Sequence, residues 1–174
     1  MLKVPVSAAD HVQGPDQAAV TLVEYGDYQC PYCGRAYPVV KRIQQQFGDS
    51  LRFAFRNFPL SEMHLHAESA AETAEFAGER GKFWAMHDLL FENQERLGGP
   101  LYLELVEGLQ LPAPDLIAAL KERAFLARVR EDFSGGVRSG VEGTPTFFVN
   151  GRRLEGAADF ATLRAAIDAQ ERKP

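Results

Sequence analysis

The chain has 174 residues, 45% of them hydrophobic, a net charge of -5 and two cysteines. It is long enough for one domain with a complete core, and two cysteines are too few for a disulfide scaffold. The acidic balance argues against a nucleic-acid partner, since the longest basic run is only Arg152-Arg153, and no apolar stretch approaches the ~18 residues of a membrane span.

Residues 1–18 contain Gly14-Pro15 and little periodicity, and read as an irregular lead-in. They lack the apolar run of about 7–15 residues found in a signal peptide. The expected compartment is therefore the cytoplasm, or an exported one if a leader stood ahead of this stretch. "AVTLVEYG" (residues 19–26) is short, apolar and β-branched, and predicts a buried strand ended by Gly26. "PYCGRAYPVVKRIQQQFGD" (31–49) has Tyr37, Val40, Ile43 and Phe47 at helical spacing, with Pro38 expected to kink the helix. "SLRFAFRNFPL" (50–60) alternates Leu51, Phe53 and Phe55 with Arg52, Ala54 and Arg56, a second strand stopped by Pro59.

From 61 to 140 the character changes to Ala- and Leu-rich segments with Gly/Pro breaks, which predict four or five helices. "TPTFFVNGRRLEG" (144–156) then predicts an apolar strand, a type I′ turn at Asn150-Gly151 and a short partner strand. "ADFATLRAAIDAQERK" (158–173) predicts a terminal helix with Phe160, Leu163 and Ile167 on one face. The order β-α-β, helices, β-β-α predicts an α/β fold with a central mixed sheet flanked by helices. The sheet then belongs to a discontinuous domain of residues 1–60 and 141–174, with 61–140 as an all-helical insertion.

Both cysteines, Cys30 and Cys33, lie in "YGDYQCPYCGRAYP" (25–38). Two cysteines rarely fall three apart by chance. A closed zinc site needs four ligands, and His64 and His66 are two apart instead of at H-x₃₋₅-H spacing, so no metal is expected. A redox pair fits the context better. Cys30 follows a strand and precedes Pro31, a residue suited to the first helical turn. The unpaired N–H groups and dipole of the helix N-terminus would stabilise a Cys30 thiolate, making it the attacking nucleophile. Cys33, one turn further in, is placed to resolve a mixed disulfide. "GTPTF" adds a Thr-Pro directly before a strand, a candidate cis bond at Thr144–Pro145.

These motifs, with "VTLVEYGDYQCPYC", "FRNFPL", "HLHAESAAETAEFA" and "GKFWAMHDLLFENQ", resemble the DsbA-like thiol:disulfide oxidoreductases of the thioredoxin fold. The resemblance implies an enzyme that exchanges disulfides with protein thiols, with Cys30 as nucleophile and Cys33 as resolving thiol. It implies a cis Pro145, with Pro31, Tyr32, Thr144 and Pro145 against the substrate, which is captured by strand addition at Thr144. It also implies that Glu24 is an acid below the resolving cysteine, able to take its proton. No cofactor is implied. Glutathione or a thioredoxin-type protein are the candidate electron partners, and the oligomeric state is not specified.

Tyr32 departs from the Pro-His pair of the strong periplasmic oxidases and is closer to glutaredoxins. It adds no cationic charge beside Cys30, so a milder potential is expected, on the reductase or isomerase side. The rival readings are a chaperone-like polypeptide-binding module on the same fold and a metal-binding protein using the CxxC. Among neighbouring residues, Asp27 reads as an acid satisfied by backbone N–H groups, and His64 and His66 as surface or capping groups. His87 reads as a polar contact at the core edge, Tyr28 as a groove or exposed loop residue, and Trp84 as packing.

Overall fold

The computed structural model describes residues 1–171. Its sheet has five strands in the order β1-β3-β2-β4-β5. Strand β2 (Val20–Gly26) runs parallel to β3 (Leu51–Asn57) and antiparallel to β4 (Thr146–Val149). Both β2 and β3 are rich in β-branched and aromatic residues, which fit a pleated surface packed on its neighbours. Helix α1 (Pro31–Phe47) makes the crossover between them and continues through Pro38. Its buried residues Cys33, Ala36, Val40 and Ile43 follow the i, i+3, i+4 spacing and form the stripe that faces the core.

Five helices separate β3 from β4: α2 (Ala67–Glu79), α3 (Phe83–Glu92), α4 (Gly99–Gly108), α5 (Ala113–Glu122) and α6 (Leu126–Arg138). The last two come from one continuous Ala-rich stretch, divided where Arg123 adopts the left-handed conformation (φ 55°). Strand β5 (Arg152–Arg153) closes the hairpin, and Asn150 and Gly151 both have positive φ, as the expected turn requires. Helix α7 (Phe160–Glu171) buries Leu163 and Ile167. The remainder of the helix expected to run to 173 lies outside the described residues.

One expectation from the sequence needs correction. The lead-in holds a three-residue strand, β1 (His11–Gln13), antiparallel to β3. On β3, Arg56 is covered. That side chain is 3% exposed and is held by Asp10, by the Val4 and Pro5 carbonyls and by the Tyr25 hydroxyl. The N-terminal segment and α6 therefore cover the second face of the sheet, over a small core of Val23, Tyr25, Ala54, Phe58, Val141 and Phe148. The larger core lies on the other face, where Leu22, Phe53, Phe55 and Phe147 meet α1, α7 and the helical block. Burial on both faces leaves the ends of β2 and β4 rigidly placed, and the two cysteines sit at that end. Among the described residues no helix is long and apolar enough to cross a membrane.

Candidate active site

Gly26 ends β2, and the loop 27–29 turns tightly into α1, its Cys30 N–H donating to the Asp27 carbonyl (3.1 Å). Cys30 is the N-cap of α1, in extended conformation, with Pro31 as first helical residue. The N–H groups of the first turn have no partner within the helix and converge on the position of the Cys30 sulfur. Thr144–Pro145 is a cis bond, as expected, and the Cys30 thiol donates to the Thr144 carbonyl (3.4 Å).

The environment treats the two free thiols oppositely. Hydrogen bonding from the Cys33 thiol, added to that of the Thr144 side chain and of the Cys33 and Tyr32 amides, outweighs burial and lowers the Cys30 pKa to about 5. Cys33 is fully buried, and burial, together with its hydrogen bond to Cys30 and the charge of Glu24, raises its pKa well above that of an ordinary thiol. The Asp27 N–H donates to Cys33 Sγ (3.4 Å) and opposes this in part. One cysteine is therefore a thiolate at neutral pH and the other a thiol.

Glu24 lies on β2 with Phe55 and Phe147 as its cross-strand neighbours. It is 2% exposed and its Oε1 has no hydrogen-bond partner among the described residues. Burial, with the nearby Cys30 charge, raises its pKa to about 8. Such a carboxyl can exchange a proton near neutral pH.

Two openings flank the thiol. A groove of about 720 Å³ is lined by Cys30, Pro31, Leu60, Met63, Phe133 and Thr144, among others. A second, of about 530 Å³, is lined by Tyr32, Arg35, Thr144, Pro145, Arg153 and Asp159, among others. Tyr32, 65% exposed, forms the ridge between them, with the Arg35 guanidinium stacked 4.5 Å from its ring centre. The structure thus brings Cys30, Cys33, Pro31, Tyr32, Thr144 and Pro145 together at one end of the sheet, with Glu24 buried behind them.

Other residues fall differently from expectation. Tyr28 is neither groove-lining nor exposed. It is 1% exposed, packed on Phe55 and Phe91, with its hydroxyl 3.0 Å from His87 Nδ1. His87 lies well inside the core, and burial, reinforced by Lys41 and His11, lowers its pKa so that it is neutral. Asp27 accepts the backbone N–H groups of Gln29 and Leu60, as expected, and in addition His64 Nδ1 at 2.7 Å. His64 is thereby a partner of the loop before Cys30, and it lines the larger groove. Sequence spacing offers no signal for that pair, because 37 residues separate its members. No group of three or more candidate metal ligands occurs among the described residues.

A family model described as thioredoxin matches residues 7–169. Among curated proteins, the chain is similar to a Na(+)/H(+) antiporter NhaA 1 of Salinispora arenicola, 46% identical over 167 residues. That match takes in 95% of this chain and 26% of the relative, so the chain spans about a quarter of the length of the curated relatives it matches. Among solved structures, oxidised BdbD from Bacillus subtilis is 27% identical, with a TM-score of 0.87 over 95% of this chain and 94% of that one. Wolbachia pipientis alpha-DsbA1, 17% identical, has the same fold, with a TM-score of 0.83 over 98% of this chain and 94% of that one.

Proposed function

The chain belongs to the thioredoxin family, with the fold of its DsbA-like members, and from that premise we propose that it is a thiol:disulfide oxidoreductase acting on polypeptide substrates. The observation that carries this reading is the opposite treatment of two neighbouring thiols, one held as thiolate at a helix N-terminus and one buried as thiol.

In the reducing direction, the Cys30 thiolate attacks one sulfur of a substrate disulfide. A Cys30–substrate S–S bond forms and one substrate thiolate leaves. Cys33 then loses its proton to the Glu24 carboxylate and attacks Cys30 Sγ. The Cys30–Cys33 disulfide forms, the second substrate thiolate leaves, and two electrons have passed to the substrate. The reverse sequence oxidises a dithiol. An extended substrate segment pairs with the backbone at Thr144, and its side chains enter the two grooves beside Tyr32. Residues 1–60 and 141–174 supply this chemistry, and 61–140 form the insertion that walls the larger groove.

A Cys30 pKa of about 5 lies between that of thioredoxin, about 7, and that of DsbA, about 3.5. The potential we assign accordingly falls between about -270 mV and about -120 mV. In a reducing compartment such a pair is kept as the dithiol and works as reductase or isomerase. Reductant-dependent insulin reduction tests the activity, with Cys30→Ser abolishing it and Cys33→Ser accumulating the mixed disulfide. If Cys33→Ser captures no substrate thiol, the proposal fails. If Cys30→Ser retains full activity, a chaperone-like module replaces it.

A further inference from the structure

Gln94 opens the 3₁₀ turn Gln94–Arg96, between α3 and α4, and belongs to the helical block. Its side chain reaches back to the loop that carries the nucleophile. The amide nitrogen donates to the Tyr28 carbonyl (2.8 Å) and to the Cys30 carbonyl (2.9 Å). Because both acceptors are carbonyl oxygens, only the NH₂ end of the amide can face them.

The Cys30 carbonyl also accepts the Gly34 N–H (3.0 Å), the first intrahelical bond of α1. Asp27 holds the other side of the same loop, through Gln29 N–H and Cys30 N–H. With Gln94 in place, the polar backbone of this tight turn is tied at both ends.

A second observation concerns Gly34, the residue directly after Cys33. Its φ is helical, so no left-handed conformation calls for glycine there. A Cβ at this position would instead lie 2.3 Å from Gln94 Oε1 and 3.0 Å from its Cδ. The space an alanine would take is filled by the Gln94 amide.

We propose that Gln94 is a positioning residue for Cys30, clamping the carbonyls of Tyr28 and Cys30 so that the sulfur stays over the N–H groups of Tyr32 and Cys33, and that position 34 is glycine to admit that clamp. This rests on the disulfide-exchange reading of the site. The stabilisation of a thiolate by helix-terminal N–H groups falls off within one turn, so a small drift of the N-cap weakens it. The clamp thereby couples the helical block to the reactivity of the nucleophile.

The test compares reduced wild type with Gln94→Leu, Gln94→Glu, Gly34→Ala, Gln94→Ala and the Gly34→Ala/Gln94→Ala double variant. The readouts are the pH midpoint of Cys30 thiolate formation, followed by ultraviolet absorbance and by alkylation rate, and a melting curve for each. Gln94→Leu raises the midpoint by roughly half a unit to one unit. Gln94→Glu, isosteric but facing two carbonyls with a carboxylate, raises it at least as far. Gly34→Ala, a change that ordinarily favours a helix, raises it by pushing the amide aside. The double variant matches Gln94→Ala alone.

Wild-type midpoints in the Gln94 variants overturn the inference, as do additive effects of Gly34→Ala and Gln94→Ala. Should a Gln94 variant fail to fold, Gly34→Ala alone decides, since its amide is intact and only displaced. A wild type that forms no mixed disulfide overturns the exchange reading instead, and the thiolate midpoints still decide the role of Gln94.

Discussion

Two buried acids on opposite faces of the same sheet have been given opposite surroundings. Behind the cysteines, Glu24 is enclosed by apolar strands and its Oε1 has no hydrogen-bond partner among the described residues. On the other face, Asp10 takes both ends of the Arg56 fork (2.7 and 3.1 Å), and a hydrogen-bonded cluster of Asn57, Glu75, Asp132 and Arg128 lies beside it. Burial alone would raise the Asp10 carboxyl, but the Arg56 and Ser7 hydrogen bonds, together with the charges of Arg56 and Arg128, outweigh it and hold the group below its ordinary pKa. For Glu24, burial and the nearby Cys30 charge both act upward, and its pKa is raised to about 8. Satisfied polar networks fix a structure, whereas a solitary buried carboxyl is poised to change its protonation. The Asp10–Arg56 face secures the N-terminal segment to the sheet, and the Glu24 face carries the proposed exchange chemistry.

The contrast can be broken from the structural side first, where the largest effect is expected. Arg56→Met leaves Asp10 without its partner in a covered position. This should cost about 3–5 kcal/mol, a fall in melting temperature of roughly 10 °C, while exchange activity per folded molecule stays near wild type. The loss is greatest above the unfolded-state pKa of Asp10 and fades as pH drops below it, because the folded-state pKa is the depressed one. Calorimetry against pH, alongside the exchange assay, checks both halves. A variant that melts like wild type would show that this face does not secure the fold.

Glu24→Gln should do the reverse. The resolving step slows by about 100-fold, read as accumulation of the mixed disulfide in rapid-quench experiments. Stability moves the other way. A carboxyl whose pKa is raised in the fold loses stabilising effect as pH climbs through about 8, so the glutamine variant should melt on the order of 5 °C higher at pH 8 and equal wild type near pH 4. A stability difference that did not depend on pH would place the Glu24 proton outside the chemistry.

The smallest effect sharpens the comparison within the site itself. Alkylation of Cys30 should rise with pH through a midpoint near 5 and then level off, whereas Cys33 stays unreactive across the same range. A midpoint at the ordinary thiol value, about 8.5, would remove the distinction between the two cysteines.

Much of this site was legible in the chain. A β-branched run followed by Cys-Pro reads as strand, N-cap and first helical residue, because those signals are local and the N-terminus of a helix carries the same electrostatics in any fold. Asn150-Gly151 was legible for the same reason, whereas the cis bond at Thr144–Pro145 followed from the family resemblance, since its local pattern also fits an ordinary proline at strand entry. The burial of Arg56 was not legible, because alternation along β3 does not show what covers that face, and the segment that covers it is near the start of the chain. Tyr28 was misread because its neighbour in sequence, Cys30, is at the surface end of the sheet, while its ring turns into the core against α3.

Sequence by itself determined the element order from β2 onward, the inward stripe of α1 and the unequal stations of Cys30 and Cys33, all set by periodicity and by helix-end chemistry over a few residues. The tertiary structure alone decided that Glu24 Oε1 has no partner among the described residues, that Asp10 takes Arg56 across 46 residues, and that Gln94 reaches across 64 to the Cys30 carbonyl. Those outcomes depend on desolvation and on hydrogen bonds between distant segments, and both exist only once the sheet is covered on its two faces.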